Sequence, residues 1–419
     1  LLEDIESVMT DKALTLKRKF AETRFKIYGL ASLFLAMVML VVIISSMTYR
    51  SIPAFTNYGI NLEIKLANEF IDKDDLDYRG IIRETIFSLD SECDDRKCRR
   101  SFSKLFSSGA AYDLRDALEE DESLYEKNFN FYILFSDDAD LFYKFGIDKN
   151  LPENERRLND QEILWLEGFQ EKGLVEKKFS SNLFTNGDSR EPEIAGVLGA
   201  VIGSMYTILI TLIISFPIGV LAAIYLESFA SKNRITDFIE VNINNLAAVP
   251  SIVFGLLGLA LFINFFGMPR SAPLVGGCVL SLMTLPVIII ATRASLQSVP
   301  PSIREAALAM GASEMQVVFQ HILPAALPGI LTGTIIGLAR AFGESAPLLL
   351  IGMVAFVVDI PQSVMDPATA LPVQVYIWAD SPERAFVAKT SAATLVLIFL
   401  LIIINLAAVI LRKKYELKW

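Results

Sequence analysis

The sequence predicts an all-α polytopic membrane protein with a soluble α+β domain inserted between its first two transmembrane helices. Composition is the first observation: 53% of the 419 residues are hydrophobic and the mean hydropathy is +0.45, which is rare for a soluble chain of this length. The second is the presence of several apolar runs near the ~20 residues that cross a bilayer. The third is one long acidic segment that interrupts them.

Six apolar runs are long enough to span a membrane. The first is too long and too far from the N-terminus to be typical of a cleaved signal peptide, so we expect a retained anchor. The six runs lie between Lys26 and Arg50, Glu193 and Glu227, Glu240 and Arg270, Arg270 and Arg293, Glu314 and Arg340, and Lys389 and Arg412.

The distribution of Lys and Arg predicts the orientation of the spans. Basic residues cluster before the first run, from Lys17 to Lys26, and after the last run, from Arg412 to Lys414. Because such clusters stay on the cytoplasmic side, both termini are predicted to be cytoplasmic. The predicted organisation is a cytoplasmic segment (1–26), a first transmembrane helix (27–49), an extracytoplasmic domain (50–192) and a five-helix membrane domain (193–419).

The long segment between the first two runs is predicted to fold as a separate acidic domain. Residues 51–192 contain 31 Asp and Glu against 19 Lys and Arg. Such a surface is a poor partner for nucleic acid. The stretches "YRGIIRETIFSLD" and "RRSFSKLFSSGAAYDLRDALEED" have helical spacing, whereas "FNFYILFSDD" is typical of a strand followed by a turn.

Two cysteines of this domain, Cys93 and Cys98, lie five residues apart in "CDDRKC". In an oxidising compartment they could form a small-loop disulfide, and two free thiols is the alternative. A zinc site would need further ligands, and the chain contains a single histidine elsewhere, so no metal is predicted. Cys278 lies in a transmembrane run and is expected to be an ordinary packing residue.

Charged residues inside the membrane runs are the main candidates for function. Arg340 and Glu344 lie four residues apart in the fifth run, which would place them on one face of a helix. A charge near the bilayer centre costs ~2.5–3.5 kcal/mol, so the pair should face a bundle interior or an aqueous path, as a functional or a purely structural ion pair. Arg293 should lie near the cytoplasmic interface, where a substrate contact and a snorkelling side chain are both open.

A polar stretch, residues 301–324, separates the fourth and fifth runs. Ser302 and Glu305 have the spacing of a capping box for a short helix, and Gly311 can adopt the left-handed conformation that ends it. A second helix is predicted to start at Glu314 and to end at Pro324. The pair could serve as a handle for a cytoplasmic partner or as an ordinary amphipathic connector.

These residues carry a family resemblance. Glu305-Ala306-Ala307, Gly311 and Leu323-Pro324 reproduce the EAA motif of ABC-importer permeases, with His321 where the family usually has Ile. Together with "AAVPSIVFGLLGLALF" and "LPAALPGILTGTIIGLARAFGESAPLLLIG", the chain resembles, over about 195–419, the PstA-type permeases of phosphate ABC importers. The stretch "KLFSSGAAYDLRDALEE" is similar to an N-terminal domain of unknown role that is fused to some of them.

The resemblance implies a type I ABC importer permease fold in the bacterial inner membrane, with residues 51–192 in the periplasm. It implies phosphate as the substrate, with Arg340, Glu344 and also Arg293 corresponding to charged residues linked with its passage.

The implied partners are a second, PstC-like permease, two copies of a PstB-like cytoplasmic ATPase, a PstS-like phosphate-binding protein and membrane lipid. The EAA residues, Glu305, Ala306, Ala307 and Gly311, would dock into a groove of the ATPase. No cofactor is expected on this chain, and ATP and Mg would bind the ATPase.

Other functions stay open to different degrees. The chain has no G-x-x-x-x-G-K-S/T sequence and no Ser-His-Asp, HExxH or CxxC arrangement, so it is not predicted to be an enzyme. The alternatives are a permease for another oxyanion such as sulfate or molybdate, the partner permease of the same system, and a membrane-anchored sensor. The sensor is disfavoured because only about 25 residues precede the first run. Ion-coupled secondary transport is disfavoured because one run carries the mid-membrane charges.

Overall fold

The computed structural model describes residues 2–64, 76–90, 95–126, 128–149, 151–354 and 356–415. These residues divide into two compact units, 1–50 and 51–419. The first unit is formed by one long helix, α1 (Leu2–Ser51). The stretch Arg18–Phe55 is long and apolar enough to cross a membrane, as the first apolar run predicted.

The second unit begins with the inserted domain, residues 51–192, which contains a three-stranded antiparallel sheet with helices around it. The first strand is central in the order β2-β1-β3, with Ile60 opposite Ile133 on one side and opposite Val175 on the other. Its elements are β1 (Thr56–Ile64), α2 (Tyr78–Phe87), α3 (Arg96–Ser103), α4 (Ala110–Glu120), β2 (Phe129–Leu134), α5 (Asp137–Phe145), α6 (Asp160–Glu171), β3 (Val175–Phe179) and α7 (Asn182–Thr185).

The inserted domain has a hydrophobic core of its own. Phe102, Leu114, Phe135 and Leu166 are fully buried in one cluster that contains residues of this domain alone. Burial of such side chains contributes ~1.5–3 kcal/mol each. The predicted α+β character of this segment is therefore confirmed, although β1 and β3 were not anticipated from the sequence.

The helical domain follows and contains the remaining apolar runs. Two of its helices, α8 and α10, continue into π-helical turns at Tyr225–Phe229 and Leu259–Phe265. Its helices are α8 (Leu198–Ile224), α9 (Arg234–Ala247), α10 (Ser251–Gly258), α11 (Pro273–Gln297), α12 (Pro301–Ala309), α13 (Glu314–Gln316), α14 (Leu323–Phe342), α15 (Ala346–Leu350), α16 (Leu371–Ala379) and α17 (Ala385–Tyr415).

Among the described residues, five helical stretches are long and apolar enough to cross a membrane, and a bent pair could supply a sixth. The pair is Arg234–Ala247 and Ser251–Phe265, whose axes meet at 102°. Pro250 lies at the bend, where its ring disfavours helical geometry at the residue before it. The third predicted span is thus broken, and the other five correspond to single helical stretches.

The segment 301–324 differs from its prediction at both ends. Helix α12 begins after Pro300 without a side-chain cap, so the predicted Ser302–Glu305 capping box is wrong. The capping box observed is that of Ser313 with Gln316, at the start of α13.

Pro324 does not end the second helix of this segment. The helix continues from Glu314 to Phe342 as one stretch of 29 residues. A π-helical section, Val317–Ile322, directly precedes Pro324. Such a section relieves the loss of the hydrogen bond that proline cannot donate. The predicted helix end at Pro324 is therefore wrong.

Helix α14 packs closely against α11 through glycine. A Cβ placed on Gly333 would lie 2.1 Å from the Cβ of Ala291, and one on Gly329 would lie 2.5 Å from the Oγ of Ser295. Small residues at such positions allow two helix backbones to approach closely in a membrane. This contact fixes the helix that carries Arg340.

Hydrogen bonds connect the inserted domain to the helical domain. Trp378 of α16 donates its Nε1 hydrogen to Asp188 at 2.9 Å, and both side chains are buried. Arg157 of the inserted domain donates to the carbonyl of Pro382 at 2.8 Å. Within the helical domain, Lys389 of α17 donates to the carbonyl oxygen of Ala195 at 2.6 Å.

Candidate functional site

Arg340 lies in the last turn of α14, and its partner Glu344 follows the end of that helix. The Nε of Arg340 is 3.8 Å from the Oε1 of Glu344. The arginine side chain is 54% exposed in the chain, whereas the glutamate side chain is 22% exposed. The pair predicted from the sequence is therefore present, but it is loose and leaves most of the guanidinium accessible.

The local structure around this pair corrects one expectation. Helix α14 ends at Phe342, and Gly343 and Glu344 form a turn before α15. The two residues therefore do not share a continuous helix face, and they lie at a helix break. The positive charge of Arg340 is favourable there, because unpaired carbonyl groups make the C-terminal end of a helix negative.

The neighbours of Arg340 divide into a buried and an exposed side. Ala341 and Phe342 are buried in the core of the helical domain. Ile336, one turn before Arg340, is 63% exposed. Arg340 thus belongs to a face of α14 that the described residues leave open.

Arg293 has a different environment, formed by two carboxylates that the sequence did not associate with it. Its Nε lies 3.3 Å from Glu227 and its NH2 group lies 2.8 Å from Glu240. Gln297, one turn along α11, also donates to Glu227 at 2.9 Å. This cluster joins α9 and α11 to the π-helical turn that follows α8.

The two arginines therefore differ in their capacity to bind an anion. Arg293 is surrounded by two negative charges and its side chain is 21% exposed, so an approaching anion would be repelled and would compete with existing bonds. Arg340 has one carboxylate at a longer distance and retains free donors. An arginine fork with free donors suits a tetrahedral oxyanion.

Residues 301–324, which we call the coupling loop after their predicted role, form a turn between two helices with an open outer surface. Gly311 has φ +87°, so the predicted left-handed conformation is confirmed. Arg304 NH2 lies 2.7 Å from Glu314 and bridges the two helices across that turn. Ala307 is buried in a cluster with Val317, whereas its neighbours in the chain are exposed.

The exposed surface of the coupling loop combines apolar and acidic groups. Met310 is 89% exposed and Met315 is 57% exposed. Glu305 and Ala306 are also exposed, and Glu305 forms no ion pair with any described residue. Exposed methionines are typical of adaptable protein-binding surfaces.

The two described cysteines, Cys98 and Cys278, lie in different domains. Cys98 packs against the core of the inserted domain, but Cys93 lies outside the described residues, so the disulfide stays a prediction. Cys278 of α11 is a free thiol. Among the described residues, no three His, Cys, Asp or Glu side chains are grouped as metal ligands.

A buried charge cluster between the inserted and helical domains was not anticipated from the sequence. Lys389 is 3% exposed and lines one small cavity together with Asp137, Asp140, Lys144 and Glu193. Lys144 forms an ion pair with Asp140.

Burial changes the acidity of this cluster. It raises the pKa of Glu193 to about 7, although the positive charge of Lys389 opposes the shift. It also raises the pKa of Asp137 to about 6. Hydrogen bonding from Ser107 to Glu193 and from the backbone of Ala385 to Asp137 opposes these shifts without cancelling them.

Comparison with known proteins adds two family matches. Residues 215–417 match the family described as the binding-protein-dependent transport system inner membrane component. Residues 12–153 match a domain of unknown function, DUF3333, in agreement with the predicted N-terminal domain of unknown role.

Curated relatives cover the same half of the chain. The probable ABC transporter permease protein YqgI of Bacillus subtilis is 33% identical over 230 residues, which are 51% of this chain and 76% of that protein. The phosphate transport system permease protein PstA 1 of Mycobacterium tuberculosis is 33% identical over 220 residues, which are 52% of this chain and 70% of that protein. Among solved structures, an inward-facing MetNI methionine ABC transporter chain is 21% identical with a TM-score of 0.43, covering 53% of this chain and 95% of that one.

The identity to the two permease proteins and the coverage of their lengths establish common descent. The predicted fold class, a helical polytopic membrane protein with an inserted α+β domain, is confirmed. The chain belongs to the family of binding-protein-dependent transport system inner membrane components.

Proposed function

We propose that the chain is the transmembrane permease subunit of an ATP-driven phosphate importer and forms half of the translocation path. The observation that carries the proposal is the open guanidinium of Arg340 at the break between α14 and α15. The name of the Mycobacterium tuberculosis relative, a phosphate transport system permease, supports phosphate as the substrate.

Arg340 would contact the anion during passage, and Glu344 would partly neutralise the positive charge of Arg340. In the empty path the 3.8 Å pair compensates both charges. When phosphate arrives, the free donors of Arg340 can bind it, and Glu344 keeps the binding weak enough for release. Transport requires binding that is favourable but not tight.

The open face of α14 would be completed by a second, PstC-like permease. Ile336 and Arg340 lie on this face and are exposed in the single chain. Two half-paths of this kind would enclose the substrate and remove the apolar surface from contact with lipid.

Energy would come from two copies of a PstB-like ATPase bound at the coupling loop, with ATP and Mg on those subunits. Met310, Met315 and Glu305 offer an exposed surface for that contact. A PstS-like binding protein would deliver phosphate from the periplasm. Both termini would then be cytoplasmic and residues 51–192 periplasmic, as the basic clusters predict.

The test is transport by the assembled importer in membrane vesicles. Labelled phosphate is supplied on the periplasmic side of the membrane, and ATP is supplied on the side where the ATPase is bound. We expect ATP-dependent accumulation of phosphate that tenfold excess sulfate or molybdate does not suppress. ATP-dependent accumulation of labelled sulfate or molybdate without accumulation of phosphate would identify another oxyanion importer. Absence of ATP-dependent movement of any of the three anions would refute the proposed function.

A further inference from the structure

A second group of cations lies in the inserted domain, in a cavity that shares no residue with the Arg340–Glu344 pair. This basic groove has a volume of about 630 Å³. Such a volume is typical of sites for small organic molecules. The cations that line it are Arg79, Arg83, Arg100 and Lys104.

The basic groove is unusual because the domain around it is acidic. Residues 51–192 hold 31 acidic and 19 basic side chains, yet four cations and one carboxylate, Glu191, line the groove. Among the described residues, no carboxylate lies within ion-pair distance of Arg83, Arg100 or Lys104. Uncompensated cations around one concave surface repel each other and attract anions.

The cations are held by helices rather than by loops. Arg79 and Arg83 are one turn apart on α2, while Arg100 and Lys104 are one turn apart at α3 and its C-cap. Arg79 donates to the hydroxyl of Tyr112 at 3.2 Å.

The helices themselves are fixed by the core beneath them. Phe87 and Phe102 stack with ring centroids 6.3 Å apart. Two helices thus present their cations to the same cavity in a preorganised arrangement, which reduces the entropy cost of binding.

The floor of the groove is apolar. Ile82, Ile86 and Phe106 line it and are each at most 6% exposed as residues. A ligand that combines an anionic group with a carbon skeleton would therefore contact both the charged rim and the floor. Three free cations match a group with about two negative charges and several acceptor oxygens, which is the chemistry of phosphate rather than of a single carboxylate.

We propose that the basic groove binds a phosphate group through Arg83, Arg100 and Lys104. The phosphate is either free inorganic phosphate or the phosphate of an organic monoester whose carbon skeleton lies on Ile86 and Phe106. Arg79, which Tyr112 orients, completes the positive surface. The proposal concerns the inserted domain and holds whatever anion crosses the membrane.

The experiment uses the purified full chain in nanodiscs, with Arg340→Gln present in every sample so that binding at the proposed path does not contribute. Binding of inorganic phosphate, phenyl phosphate and benzoate is measured by titration calorimetry at low and at physiological salt. We expect phosphate or phenyl phosphate to bind and benzoate to bind at least tenfold more weakly. Tighter binding of phenyl phosphate identifies an organic monoester as the ligand class, and equal or tighter binding of inorganic phosphate identifies the free anion.

Two matched variants locate the binding. Arg83→Gln combined with Arg100→Gln should weaken binding at least tenfold, because the two substitutions remove two cations from the groove. Both residues are exposed, so their replacement does not disturb the core. Arg96→Gln combined with Lys97→Gln removes the same charge from α3 outside the groove and should change affinity less than twofold. Lys104→Gln provides an independent groove variant. No binding of either phosphate compound, or equal effects of the groove and control variants, would overturn the proposal.

Discussion

At the residue scale, Arg340 and Arg293 differ in exposure and in the number of carboxylates that they contact. Arg340 has one long contact to Glu344, whereas Arg293 has two shorter contacts to Glu227 and Glu240. The sequence placed Arg340 beside Glu344 because they are four residues apart. It could not pair Arg293 with carboxylates 66 and 53 residues away in the chain.

Substitution of Arg340 should abolish transport and leave assembly intact. Arg340→Gln removes the charge that would hold the anion, and we expect phosphate uptake to fall at least 100-fold. Glu344→Gln removes only the tempering charge and should reduce uptake less than tenfold. Uptake into vesicles is the measurement, and co-purification with the ATPase is the control. Wild-type uptake by Arg340→Gln would show that the pair is structural.

Substitution of Arg293 should instead destabilise the chain. Arg293→Gln would leave Glu227 and Glu240 facing each other without the cation between them. Loss of charge-assisted hydrogen bonds of this kind costs about 2 kcal/mol.

Thermal unfolding of the purified chain measures this effect. Replacing Glu227 and Glu240 by Gln in the same variant should restore most of the lost stability, because no unpaired charge remains. An unchanged midpoint in the single variant would contradict a structural role for Arg293.

At the element scale, the sequence predicted the backbone geometry correctly where a single residue determines it. The prediction was wrong where the neighbouring helical structure determines the geometry. Gly311 ends α12 in the left-handed conformation because glycine lacks a Cβ. Pro324 does not end its helix, because the preceding π-helical section absorbs the missing hydrogen bond. The bend at Pro250 was likewise invisible in an apolar run judged by length alone.

Gly311 should be needed for energy transfer. No atom lies within 4 Å of a Cβ placed there, so a substitution is strained by its φ of +87° and not by a clash. A left-handed non-glycine residue costs roughly 1–2 kcal/mol, and asparagine adopts this conformation more readily than valine. Gly311→Val should therefore abolish ATP-driven uptake while the protein still inserts, and Gly311→Asn should retain most of it.

The comparison is made at equal expression in membranes, with ATP hydrolysis measured alongside uptake. Loss of uptake in both variants would point to a need for glycine beyond its backbone conformation. Normal uptake by Gly311→Val would exclude the coupling role of this turn.

At the scale of the whole molecule, the junction between the inserted and helical domains depends on charges that are distant in sequence. The apolar runs and the acidic segment were predictable because each is a local property of the chain. The cavity that joins Lys389 to Asp140 and Glu193 was not, because burial of these groups results from tertiary packing. Burial raises the pKa of Glu193 into the range where a change of pH alters its charge.

Stability should therefore fall as pH rises through the acidic range. The pKa of Glu193 is raised from 4.5 to about 7 in the folded state, so the folded chain binds its proton more tightly. Its contribution to stability is full below pH 4.5 and is lost as pH rises to about 7, a change of at most about 3 kcal/mol. Unfolding midpoints measured from pH 5 to 8 should decline less in Glu193→Gln than in the unmodified chain, and parallel declines would contradict this assignment.

Lys389 should stabilise the buried cavity where the inserted and helical domains meet. Lys389→Met preserves the length of the side chain but removes the positive charge beside Glu193 and the hydrogen bond to Ala195. Loss of one member of a buried charge group costs about 3–5 kcal/mol. We expect destabilisation of this order in the single variant. Addition of Glu193→Gln should recover part of the loss, because the buried carboxyl that faced Lys389 is then replaced by a neutral amide, and a double-mutant cycle of unfolding free energies would measure the recovery. Absence of coupling between the two substitutions would mean that Lys389 acts through its hydrogen bond and packing alone.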